Sequence, residues 1–284
     1  MHILAATDFS TRSQRALRRA GLLARDSGAD LTLMHVVDDD QPPDLVALER
    51  REAGRILGEQ IGAMAELRGL HPRALVVAGD PFDGILRAAE STGADLIVMG
   101  AHRKQLLRDI LIGTTIERVI RTGPSPVLMV NREVDQPYRT ALAAVHLSEP
   151  SVNAIKTGTA LGLPGGARLA LVHAFLPLAK GQMFYAGLSQ DTIDGYVADE
   201  RLRATKELTA CLKANRIDDR GRSLHIEEGA PSEVISKTVE QLNPNVLIIG
   251  THGRTGIAKA LLGSVTEEAL RSLDVDILAV PLPR

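Results

Sequence analysis

The chain has 284 residues, 44% hydrophobic and 24% charged, enough for one large or two ordinary domains with real cores. Its 33 basic and 35 acidic residues, 2% aromatics and lack of Trp exclude a general attraction to nucleic acid or an anionic membrane, and exclude stacking platforms for single strands. A single cysteine, Cys211, the absence of an apolar run near ~18 residues, and a start that reads as a strand rather than a signal peptide point to a cytoplasmic protein without a disulfide framework, thiolate zinc site or membrane span.

In chain order, the first half reads as strands at Ile3–Thr7, Leu31–Val37, Ala74–Ala78, Leu96–Gly100 and Pro126–Val130. Between the first two, Thr11–Ser27 carries Ala16, Ala20 and Leu23, with Leu17 and Ala24 beside them, on one face of a helix. "GDPFDG" starts another helix, with Asp80 as cap and Pro81 in the first turn, and "GAPSEV" does much the same later. "NREVDQPY", Asn131 to Tyr138, reads as a polar linker. The second half repeats the strands at Ala141–Val145, Leu169–Phe175, Leu224–Glu227, Val246–Gly250 and Asp276–Val280. Runs such as "LIVMG" and "VLIIG" are apolar throughout, as in strands buried on both faces of a parallel sheet.

The halves are copies. Gly79 and Gly229, Gly100 and Gly250, His102 and His252, and Gly113 and Gly263 are each 150 residues apart. "ILAATDFS" and "ALAAVHLS", and His35 and His173, are 138 apart, so 150 − 138 = 12 extra residues enter the second half, placed at Pro177 to Gln190. The expectation is an α/β protein of two tandem doubly wound domains, residues 1–132 and 138–284. The insertion, holding two of the seven aromatics, is expected as a lid, a partner surface or a tolerated loop.

"GTHGRTGIAKALLGSVTEE" ends a strand at Gly250, turns at Gly253 and opens a helix at Gly263. Ligands of open parallel sheets lie beyond the carboxyl ends of the strands, and helix-start N–H groups favour a phosphate, joined here by the hydroxyls of Ser264 and Thr266. A ligand-free account fits too. Ser264 to Glu267 and Thr114 to Glu117 both have the S/T-x-x-E form of a capping box. There is no P-loop pattern, and the first strand–helix turns hold no glycine, which argues against a dinucleotide fingerprint.

G-x-x-G, nine residues, then G-[ST], after "ADLIVMG"-type strands, with "ILAATDFS", "LMHVVD" and "SPVLMV", resembles the nucleotide-binding universal stress proteins, in both halves and over nearly the whole chain. The resemblance implies a Rossmann-like five-stranded parallel sheet of order 3-2-1-4-5 in each half. It also implies ATP or a related adenine nucleotide, with or without Mg, between the first and fourth strands. Pairing through the fifth strands follows too, within one chain or in a homodimer. In the second half it assigns the ligand to Ala144, His146, Ala174, Gly250, Gly253, Arg254, Gly263, Ser264, Val265 and Thr266. His146 stands where the family has an acidic residue that holds the ribose or a metal. In the first half Asp8, Val36, Gly100, Gly113 and Thr114 match, but Arg103, followed by Lys104, replaces the middle glycine, so this copy is expected to keep the fold and lose the ligand.

The repeated histidines bring no cluster such as H-x-x-x-H, so structural or solvent-facing roles are expected and no metal site. Asp8, Ser10 and Thr11 compete to cap the first helix, and "RKQLLR" from Arg103 to Arg108 reads as a solvated face. No nucleophile–base set or carboxylate pair stands out, so the expected activity is at most slow ATP hydrolysis. The readings that follow are a nucleotide-regulated stress-response protein with an unnamed protein partner, a nucleotide-free scaffold, or a slow ATPase.

Overall fold

The computed structural model describes residues 1–101, 114–134, 136–163, 168–217, 222–251 and 262–282. The strands are β1 His2–Ala6, β2 Asp30–Val37, β3 Arg73–Ala78, β4 Leu96–Gly100 and β5 Val127–Val130, then β6 Thr140–Ala144, β7 Arg168–Phe175, β8 Leu224–Glu228, β9 Val246–Gly250 and β10 Asp276–Val280. The helices among the described residues are α1 Thr11–Ser27, α2 Pro43–Ala63, α3 Pro81–Thr92 and α4 Thr115–Thr122, then α5 Glu149–Ala160, α6 Lys180–Tyr185, α7 Gln190–Ala214, α8 Pro231–Leu242 and α9 Ser264–Ser272. All ten expected strands are present. β1 and β6 stop one residue short of the expected ends, and the carbonyls of Thr7 and Val145 just beyond them accept from the rings of His35 and His173, each at 2.8 Å.

The sheet order is β3-β2-β1-β4-β5-β10-β9-β6-β7-β8. Within each half the strands run parallel, and the chain crosses over between β1 and β4 and between β6 and β9. β5 and β10 meet antiparallel, with Ile277 opposite Met129 and Ala279 opposite Val127, so ten strands form one sheet. Alternate side chains enter opposite layers, as the two-residue strand period requires. Ile3, Ala5, Val246 and Ile248 pack with α1, α2, α5 and α7. Leu4, Leu247 and Ile249 pack with α3, α4, α8 and α9.

Ser10, not Asp8, caps α1: its side chain accepts from the Ser13 N–H. Asp80 caps α3 by accepting from Phe82 and Asp83, with Pro81 in the first turn, as expected. Pro231 opens α8 behind Ala230, which offers no side-chain cap. The expected linker is bound into the protein rather than simply polar. Tyr138 is 7% exposed and donates its hydroxyl to the buried Asp276 at 2.6 Å. The backbone N–H groups of Asn131 and Arg132 donate to the other oxygen of Asp276. Arg19 of α1 covers the Tyr138 ring at 3.9 Å, with its Nε 3.5 Å from the same carboxylate. A buried carboxylate is stable only when charged and polar partners replace its water, as these do. The segment expected as an insertion holds α6 and the turn into α7, with Phe184 69% and Tyr185 90% exposed.

Candidate functional site

A cleft of about 230 Å³ opens beyond the carboxyl ends of β6, β7 and β9. It lies where the chain crosses from one side of β6 to the other, the place at which open α/β sheets bind ligands. Ala144, Val145 and His146 follow β6; Val172, His173 and Ala174 come from β7; Ile249 and Gly250 end β9. Ser151 of α5, Pro231 and Ile235 of α8, and Gly263 to Thr266 at the start of α9 complete the wall. None of these lining residues is acidic.

Each side chain is held by local chemistry. The Ser151 hydroxyl accepts the His146 N–H at 3.0 Å and so shapes the turn after β6. Thr251 is fully buried; its N–H donates to Val280 and its carbonyl accepts the Gly263 N–H at 2.8 Å. That bond ties the start of α9 to the end of β9. The Thr266 hydroxyl is 2% exposed with its residue and donates to the Gly250 carbonyl at 2.8 Å, so it serves the protein rather than an incoming group.

The two helix starts differ in a way the shared S/T-x-x-E pattern hides. Thr114 caps α4 with a complete capping box: it accepts from the Glu117 N–H, and its own N–H donates to the Glu117 carboxylate. In the second half the cap position is Gly263, so Ser264 is the first helical residue and forms no cap bond. Glu267 turns instead to Arg271 at 2.6 Å. The capping-box expectation is therefore met in the first half and corrected in the second, because α9 begins one residue earlier in the repeat. Among the described residues, the N–H groups of Ser264, Val265 and Thr266 have no partner, and they lie along the cleft. A helix start left this way attracts negative charge.

The glycines also separate. Gly263 has φ −63° and ψ 139°, a conformation open to any residue, and it lines the cleft. Gly250 packs closely on the protein itself: a Cβ there would lie 3.1 Å from the Pro150 carbonyl oxygen, a tight contact. At Gly100 it would lie 2.7 Å from the Arg12 carbonyl oxygen. The group expected against these strand ends is thus the first turn of α5 or α1. Gly253 and Arg254, Gly113, and also Arg103, Lys104, His102 and His252, lie outside the described residues.

In the first half, the Asp8 carboxylate accepts from the Ser10 N–H at 3.0 Å. Burial pushes its pKa up, but hydrogen bonds from the Ser10 and Ser13 hydroxyls and the Ser10 N–H outweigh this and hold it below the usual value. Val36 is half-buried against α3, where Gly84 leaves room: a Cβ on Gly84 would be 2.9 Å from both Val36 methyls. The second half reverses the sizes, with Ala174 lining the cleft and Val234 on the helix. The site includes residues that were not singled out from sequence as ligand-facing: Val145, Ser151, Val172, Pro231, Ile235 and Ile249. Val172 alternates with Ala174 on one face of β7, the signal that could have found it. His173, read as structural, does bond its own backbone and also lines the cleft.

The family model of the universal stress protein family matches residues 1–131 and 137–281. Universal stress protein E of Escherichia coli K12 is 30% identical over 219 residues, covering 70% of this chain and 65% of that protein's length, a little under two thirds. Universal stress protein MJ0577 of Methanocaldococcus jannaschii is 29% identical over 153 residues, 46% of this chain and 94% of that protein. The crystal structure of a universal stress protein from Archaeoglobus fulgidus shares the fold at 22% identity, with a TM-score of 0.68 over 99% of this chain and 98% of that one. With its family model matched twice over nearly all of its length, the chain belongs to the universal stress protein family.

Proposed function

We propose that the protein binds an adenine nucleotide, ATP or a close relative, in the second-half cleft, and that occupancy biases its conformation or its choice of protein partner. One observation carries this reading: among the described residues nothing caps the first three N–H groups of α9, which lie along the cleft beside the exposed Ser264, whereas α4 caps itself. Such a helix start suits phosphate. Val172, Ala174, Ile235 and Ile249 offer an apolar wall suited to a base. Family membership and the spacing of Gly250, Gly253, Arg254, Gly263 and Ser264 support the same ligand. Since His146 replaces an acidic residue, any Mg enters with the phosphates rather than on a carboxylate of the described lining residues.

Nucleotide analysis of the purified protein, followed by calorimetric titration of wild type and Gly263→Val, tests the proposal. The expected result is micromolar or tighter binding by wild type and a loss of about 100-fold or more in the variant, because a branched side chain fills the space before α9. Absence of both co-purified and added nucleotide at micromolar concentration would overturn it. The exposed Phe184 and Tyr185 favour a second reading, an adaptor whose inserted hairpin meets a protein irrespective of nucleotide. Partner capture unchanged by ATP and lost in a Phe184→Ser, Tyr185→Ser variant distinguishes it.

A further inference from the structure

β5 and β10 pair with Leu128 opposite Leu278, its own counterpart 150 residues on, so a local two-fold axis relates the two sides of the joint. On one side, the linker fills the groove between α1 and the residues just before β9 and β10. Arg15 and Arg19 of α1 donate to the carbonyls of Asn131 and Gln136, at 3.1 and 2.9 Å. Val134 and Tyr138 of the linker are 6% and 7% exposed and join the core. The linker also brings donors to three backbone carbonyls. Asn131 Nδ2 donates to Val275 at 2.7 Å, Arg132 Nε to Asp274 at 2.7 Å and Arg132 Nη1 to Pro244 at 3.1 Å.

The axis carries this groove onto an open one of about 640 Å³, between α5 and the residues just before β4 and β5. Asn153 and Thr157 of α5 take the places of Arg15 and Arg19, and Pro126 that of Asp276. Asn153 repeats the bond of Arg15 by donating to the Pro281 carbonyl at 3.2 Å. Pro281 and Leu282, in the places of Asn131 and Arg132, bring no side-chain donor. Among the described residues, the carbonyls of Ser125, Pro124 and Ala94, counterparts of the three that the linker meets, therefore have no donor. Beside them the exposed Asp95 stands where the other half has Asn245. Asp95 accepts the His2 N–H at 2.8 Å, and Asn245 accepts the Thr140 N–H in the same way at 3.0 Å. The open groove thus offers carbonyls and one added negative charge, without the two helix cations of its twin.

We propose that this groove docks an extended segment of a partner protein, one that carries an Arg or Lys followed by apolar side chains, in the manner of the linker across the axis. The basic group meets the carbonyls and Asp95, and the apolar groups lie along Thr157 and Leu161. Fluorescence polarisation with two labelled peptides tests it. NRQVNQPF is the linker sequence with its acidic residues neutralised and its Tyr made Phe, and NEQVNQPF reverses the one charge. Wild type is expected to bind the first with a Kd on the order of 100 µM, and the second about tenfold more weakly or worse. Asp95→Asn installs the residue that the other half uses at this place, and should weaken the first peptide about threefold. Thr157→Arg restores the cation of the first half and should weaken it about tenfold. Thermal melting checks that each variant is folded. Equal affinity for the two peptides, no binding to wild type at about 1 mM, or affinity unchanged in either folded variant overturns the proposal. Sedimentation velocity examines the other occupant: a wild-type dimer dispersed by Thr157→Arg would assign the groove to a second copy of this chain, and overturns it as well.

Discussion

Helices α4 and α9 stand at the same place in their halves, after the same kind of strand and over the same side of the sheet. Thr114 closes the start of one with its hydroxyl and with Glu117, while Gly263 leaves the other open and Ser264 exposed. The same contrast recurs nearby. Val36 and Gly84 in the first half become Ala174 and Val234 in the second, and Phe9, its ring stacked on His35, becomes Leu147. The frame is common because strand pairing and core packing depend on many residues at once. The surroundings of α4 and α9 differ because each depends on a few hydrogen bonds and a few methyl groups, which single substitutions can redirect without unfolding anything.

The largest effect is expected where the two halves are joined unequally. Arg19 of α1 faces Asp276 and Tyr138, whereas its counterpart on α5, 138 residues later, is Thr157. Arg19→Met should destabilise the protein by about 3–5 kcal/mol in chemical denaturation, since it leaves a buried carboxylate without its cation. Thr157→Val should stay within about 0.5 kcal/mol. Comparable losses from both would show that the joint is not held mainly on one side.

A smaller effect follows from the exchanged volumes. Gly84→Val should cost about 1–3 kcal/mol by forcing a side chain against Val36, and adding Val36→Ala should recover most of it, reproducing the second-half pair. If the double variant is no more stable than the single one, the two positions are not coupled in the way the second half suggests.

At the helix starts, Thr114→Ala should cost about 1 kcal/mol through the lost cap. Ser264→Ala should be nearly neutral for stability, below about 0.5 kcal/mol, while weakening nucleotide. Equal stability losses from the two substitutions would remove the main distinction between the helix starts.

Stability against pH should show the smallest differences. Burial, then the Asp276 charge, push the Tyr138 hydroxyl well above its usual range, against the pull of Arg19. Its contribution is therefore complete below the unfolded value near 10 and is lost as pH rises beyond it, so Tyr138→Phe should flatten the alkaline side of the melting profile. Asp8 has the opposite sign. Its lowered pKa stabilises above the ordinary carboxylate range, and the benefit is lost as pH falls through it. Because Asp8 is exposed, Asp8→Asn should move the acid midpoint only slightly.

Much of this was legible in the residues. Ten strands and the duplication follow from apolar runs and from two fixed offsets, 150 and 138. Eight residues picked from the second half, Ala144, His146, Ala174, Gly250, Gly263, Ser264, Val265 and Thr266, line one cleft. Less legible was the purpose of particular atoms. Ser264 and Thr114 share a motif, and only the one-residue shift in helix start shows that one caps and the other does not. Gly250 reads as room for a ligand, and it lines the cleft, but the side on which its Cβ would lie is taken by the Pro150 carbonyl.

The sequence by itself determined the periodic features: which segments are strands and helices, that the unit occurs twice, and which ends of the strands gather glycines and hydroxyls. These depend on local repetition, which survives without coordinates. The tertiary structure decided which groups were already in use. It put Thr266 on the Gly250 carbonyl, Asp276 under Tyr138 and Arg19, and the His173 ring against the Val145 carbonyl. Those assignments join residues far apart in the chain, and a hydrogen bond depends on distance and direction that no spacing in the sequence encodes.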